Sequence, residues 1–142
     1  MNAQSHDSFR AACDKLSARI DAEQFERFRW TRDEAPRLAR LVQLVKDSVA
    51  DRTDVEINEE GGSQTSKGFI VKVHGKRVAG VMIALEQGLA VMNAQTASRS
   101  DYVVREGEDI VRDCDDVDEA WISEALGALF ARIRPRRKPG AE

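Results

Sequence analysis

Apolar positions recur at helical spacing at both ends of this chain and alternate with polar ones in the middle. Phe9, Ala12, Cys13, Leu16 and Ile20 fall on one face of a helix predicted from about Asp7 to Phe28. Ser5 or Asp7 can cap its start. Phe25 and Phe28 continue the stripe with a small phase shift, so the helix either breaks near Ala22 or runs on to Trp30. A second helix is expected from Thr31 or Asp33, because Thr31 and Glu34 have the spacing of a capping box and Pro36 falls in the first turn, where its missing N–H does little harm. Leu38, Leu41, Val42, Val45 and Val49 form its apolar stripe, and the pattern ends near Ala50.

The period then changes to two. Val55 and Ile57 mark a short strand, followed by a loop over Glu59, Glu60, Gly61, Gly62 and Ser63. Phe69–Val73 is a second strand, and His74-Gly75 a tight hairpin turn. Val78–Leu85 is apolar on both faces and reads as a central strand covered on both sides. Gln87-Gly88 turns into a fourth strand, Leu89–Ala94. After a polar loop, Tyr102–Arg105 suggests a fifth strand, and Glu108–Asp115 fits either a short strand or a helical turn. A last helix starts at Asp116, its N-cap, with Glu119 three residues on; Trp121, Ile122, Ala125, Leu126, Leu129 and Ile133 form its apolar face, and Pro135 stops it.

The expected fold is α+β: two N-terminal helices, an antiparallel meander sheet of four or five strands, and one C-terminal helix packed on the sheet. Residues 1–134 are read as a single domain and 135–142 as a basic, flexible tail. The second face of the central strand is then covered by the chain's own helices or by another copy in a symmetric homodimer.

Charge adds one feature. Residues 101–131 carry ten acidic side chains against two basic ones, whereas 132–142 carry five basic ones against Glu142 alone. The net charge of −3 over 142 residues argues against a dedicated nucleic-acid coat but leaves room for a local basic patch. The longest apolar run, Val78 to Leu85, falls far short of the roughly 20 residues a membrane span needs. The polar N-terminus does not read as a secretory leader, and two distant cysteines suit reduced thiols; a cytoplasmic protein is expected.

Candidate chemistry is sparse, and no catalytic, cofactor-binding or metal-binding residue is assigned. Asp113, Asp115, Asp118 and Glu124 resemble a calcium loop superficially, but the sixth position is Asp118 where glycine is needed and the fifth is Val117; helix capping explains the cluster better. His6 and His74 have no local nucleophile or orienting partner. Cys13 reads as a buried small hydrophobe, and Cys114 as a thiol whose pKa its carboxylate neighbours raise. No phosphate loop, zinc spacing or nucleophile elbow occurs.

What remains is binding. Arg27, Arg29 and Arg32, with Phe28 and Trp30 interleaved, mark the helix junction, and Arg37 and Arg40 follow. Trp30 reads as core; if exposed, it becomes an interface anchor. Arg134, Arg136, Arg137 and Lys138 form the basic tail. The expected function is a small non-enzymatic protein-binding module, a bacterial cytoplasmic regulator, inhibitor or adaptor of the kind mobile elements and phages encode. It would act through a sheet edge, the Arg/Trp junction or the acidic segment. The first alternative is a nucleic-acid-associated regulator using the tail and the Arg27–Arg40 stripe. The second is a chaperone-like dimer for a secreted or unfolded substrate, since small acidic α+β chaperones share this size and charge although their element order differs.

Overall fold

The computed structural model describes residues 3–136. The chain divides into two compact units, Met1–Pro36 and Arg37–Glu142.

The first unit is helical. α1 spans Ala3–Ile20 and α2 spans Ala22–Arg29. The break falls at Asp21, whose extended backbone lets its side chain accept from the Gln24 N–H at 3.1 Å and cap α2. The stripe expected to be core is not: Phe9, Leu16 and Ile20 are exposed, as are Cys13 and Phe28. Cys13 is therefore not the buried hydrophobe that its face of the helix suggested. The expected capped start at Thr31 is also absent. Trp30–Glu34 forms a π turn that runs into α3, Ala35–Asp47, with the Ala35 N–H bonded to the Trp30 carbonyl. Pro36 would remove a bond and crowd the preceding turn of a regular helix, and the widened turn absorbs it.

The second unit holds the sheet. β1 (Val55–Gly62), β2 (Ser66–Val73), β3 (Lys76–Glu86), β4 (Leu89–Gln95) and β6 (Ile110–Asp113) pair antiparallel in the order β1-β2-β3-β4-β6. The expected α+β meander is thus present, with β1 longer than predicted: Glu59–Gly62 belongs to the strand and carries a register shift against β2. The turns His74-Gly75 and Gln87-Gly88 have positive φ at both positions, the conformation that matches the twist of paired strands. β5 (Tyr102–Val104) is not a sixth member. It pairs with β7 (Ile133–Pro135), which places Ile133 in a strand and ends the last helix, α4 (Glu119–Phe130), earlier than its apolar pattern implied. The Arg105 N–H donates to the Arg132 carbonyl at 2.8 Å and the Arg136 N–H to the Asp101 carbonyl at 2.7 Å, extending this ladder.

Alternation along the strands defines two faces. The inner one carries Phe69, Val71, Val81, Ile83, Leu85, Ala90 and Met92, all buried. Leu38, Leu41 and Val45 of α3 and Trp121, Ile122, Ala125, Leu126 and Leu129 of α4 complete this core, and α4 lies on β4. Arg40 ties α3 to the start of α4 by donating to the Val117 carbonyl at 2.6 Å. The N-cap of α4 is Asp118, which accepts from the Trp121 N–H at 2.8 Å. Asp116, expected in that role, instead closes a 3₁₀ turn, Cys114–Asp116, capped by Asp113.

Candidate functional site

The outer face of the sheet is covered at one end only, which corrects the expectation of cover on both sides of β3. At the β5 end, Ala97 and Ser100 are buried, the Arg77 guanidinium reaches the Ser98 carbonyl at 3.2 Å, and the Ser100 hydroxyl donates to the Arg77 carbonyl at 2.6 Å. The same guanidinium forks onto both carboxylate oxygens of Glu60 at 3.1 Å and holds that carboxyl below its ordinary range. At the other end the face is bare. α3 and α4 both lie with the inner core, and among the described residues of this unit no other helix covers it.

Register places the residues of this face in rows. Ser66 of β2 stands opposite Ala84, Ala84 opposite Val91, and Val91 opposite Val111. In the next row Glu86 opposes Leu89 and Leu89 opposes Asp113. On the other side Gly68 opposes Met82 and Met82 opposes Asn93. Met82, Leu89 and Val111 keep 40, 39 and 48% of their surface, unusual for strand side chains on three paired strands. Met82, Ala84, Glu86, Val91, Asn93 and Asp109 line a shallow recess of about 210 Å³ beside them.

The rim is acidic and partly fixed. Asn93 donates to Asp109 at 2.5 Å and accepts from Arg132 at 2.9 Å, while Arg132 also donates to the Glu108 carbonyl at 2.8 Å. Arg132, from the basic C-terminal run, thus holds one edge of the recess in place. Glu86, Asp109 and Asp113 are exposed around the apolar rows. Such a surface can hold an apolar group and attract a cation beside it.

The described arginines singled out in the sequence are bonded within their own units. Arg27 pairs with Glu23 at 2.8 Å, and Arg29 with Glu26 at 3.2 Å and Glu34 at 3.5 Å. Arg32 bonds Asp33 at 2.8 Å and Asp14 at 3.0 Å, and lies 5.0 Å from the centroid of the Phe28 ring. These bonds raise the Arg32 pKa, Asp33 contributing most, and its guanidinium lowers that of Asp33. Trp30 is half-buried. Arg134 donates to the Ala131 and Ile133 carbonyls and Arg136 to that of Ser100; Arg137 and Lys138 lie outside the described residues.

Cys114 is buried, and burial is the main cause that pushes its thiol pKa up, with Asp115 and Asp113 adding less; the carboxylates expected to dominate do not. Among the described residues no cluster of three His, Cys, Asp or Glu side chains is placed to hold a metal ion, and no helix is long and apolar enough to cross a membrane.

Met82, Val91 and Val111 were not identified as site residues from sequence. Their signal was there, as one parity of the strand alternation, but it is the same signal that core residues give.

No family model matches the chain, and no curated protein matches it. Among solved structures, the crystal structure of apeThermo-DBP-RP2 bound to ssDNA dT10 is similar over 78% of this chain, at 12% identity and a TM-score of 0.35. The chain spans half of that one, 50% of its length, and the likeness is too distant to carry an argument about fold or ligand.

Proposed function

We propose that this chain is a non-enzymatic protein-binding module, a regulator or adaptor, whose outer sheet face takes an apolar partner segment flanked by Lys or Arg. One observation carries the reading: the row Ala84–Val91–Val111, half-buried at Ala84 and Val91 and exposed at Val111, lies beside exposed Met82 and Leu89 and is bordered by Glu86, Asp109 and Asp113. Apolar positions in register across three strands cost solubility unless something covers them, and the acidic rim selects a basic-flanked occupant. The paired state of Arg27, Arg29 and Arg32 supports this reading over the basic-stripe alternative, because phosphate binding would have to displace their carboxylates.

A photo-cross-linking amino acid at Val111, in cells that express the protein, tests the reading. The expected result is a discrete protein adduct that Met82→Lys abolishes, since a lysine there repels a basic segment. An adduct sensitive to nuclease, or no adduct, would overturn it.

A further inference from the structure

We infer that α1 and α2 form a second, separate interface, on which another copy of this chain docks as a symmetric antiparallel dimer. The inference rests on unit Met1–Pro36 and is independent of the sheet-face reading. Phe9, Leu16, Ile20 and Phe28 keep 67, 58, 76 and 51% of their surface. At about 200 Å² for a fully exposed aromatic residue, and somewhat less for Leu and Ile, the four leave on the order of 450 Å² uncovered per copy. That is more than half of the about 800 Å² per partner in a standard interface.

The spacing identifies the occupant. Phe9, Cys13, Leu16 and Ile20 are separated by four, three and four residues, a d-a-d-a seam that reads the same in both directions. Laid antiparallel against itself, the seam sets Phe9 against Ile20 of the second copy and Cys13 against its Leu16. Isologous dimers require that self-complementarity. The flanking positions agree: Arg10 then faces Ser17, and Ala12 faces Arg19, so no like charges meet. The receiving surface is preformed. Phe9 and Cys13 share a groove of about 540 Å³ with Phe28 and Arg32. The pairing delivers the second copy's Ile20 and Leu16 into it. Arg32, held by Asp14 and Asp33, closes one side.

Light scattering coupled to size exclusion, across a concentration series of the full chain, reads the result. The expected mass is twice that of the chain at high concentration, with dissociation in the micromolar range for so small a contact. Leu16→Glu, at an already exposed helix position, is expected to weaken the dimer by about tenfold or more. The orientation is read by cross-linking in a Cys13→Ser background. Differently tagged Phe9→Cys and Ile20→Cys variants, mixed and oxidised, are expected to join to each other, while either variant alone does not. A disulfide needs Cα atoms within about 7 Å, and only the antiparallel register brings these positions that close. A monomer at every concentration, a dimer indifferent to Leu16→Glu, or self-linking of Phe9→Cys alone would each overturn the inference, and none of them touches the sheet-face test.

Discussion

Gly68 and Gly127 receive the same substitution, to alanine, with opposite expected signs. Gly68 stands in β2 opposite Met82, where β1 bends over it at the register shift between Glu59 and Gly62. A Cβ there would lie 2.5 Å from the Glu60 carbonyl oxygen and 3.5 Å from the Gly61 carbonyl carbon. Ordinary non-bonded contacts fall at about 3.5 Å, so one backbone must retreat by about 1 Å, and no rotamer change can substitute for that. Overpacking of this kind costs about 1–3 kcal/mol. The freedom that alanine removes from the unfolded chain offsets about 0.4–1 kcal/mol, leaving a net loss of about 1–2 kcal/mol. Gly127 lies in α4 with nothing within 4 Å of its would-be Cβ. Alanine there improves helix propensity at no steric cost and gains about 0.5–1 kcal/mol. Urea unfolding followed by circular dichroism, with a common slope, should separate the two variants by about 2 kcal/mol, with wild type between them. A Gly68→Ala protein as stable as wild type would refute the close approach of β1. A Gly127→Ala protein no more stable than wild type would refute a regular helix at that turn.

Ser100 both donates to the Arg77 carbonyl and accepts from the Tyr102 N–H at 3.0 Å while nearly buried. Ser100→Ala should cost about 1–3 kcal/mol and speed amide exchange most at Tyr102; unchanged exchange there would show that the hydroxyl does not tie the segment down. In protein dilute enough to be monomeric, the two thiols should react unequally with a disulfide reagent, the exposed Cys13 fast and the buried Cys114 only on unfolding. Because burial raises the Cys114 pKa, the folded state keeps a proton that the unfolded state releases. The contribution is full below the free-thiol value of about 8.5 and is lost as pH rises past it. Cys114→Val should therefore flatten the alkaline fall in stability, and an identical fall in the variant would refute the assignment.

The elements whose signals are local were legible. His74-Gly75 and Gln87-Gly88 separate runs of period two, and the meander follows from them. Leu38, Leu41 and Val45 of the helical stripe are buried as their spacing implied. Long-range pairings were not legible. Nothing near Ile133 announces β5, twenty-nine residues upstream at Val104, so the end of α4 and the start of the basic run were read as one continuous helix and then a tail. The Thr31–Glu34 capping signal lost to a helix already in progress, because the π turn accommodates Pro36 without a break.

The candidate surfaces escaped for a related reason. Phe9, Leu16 and Ile20, like Met82, Val91 and Val111, occupy positions where periodicity says only that a side chain needs apolar cover. It does not say whether the cover belongs to the same chain. The arginines drew attention because charge is conspicuous, yet the sequence already held their partners: Glu23 is four residues before Arg27 and Glu26 three before Arg29, spacings at which a helix pairs them. With Arg27 and Arg29 paired to carboxylates at helical spacing, little of the Arg27–Arg32 stripe remains for a ligand. The apolar faces around Phe9, Leu16 and Ile20 and around Met82 and Val111 have no such local match, and these are the surfaces in need of a partner.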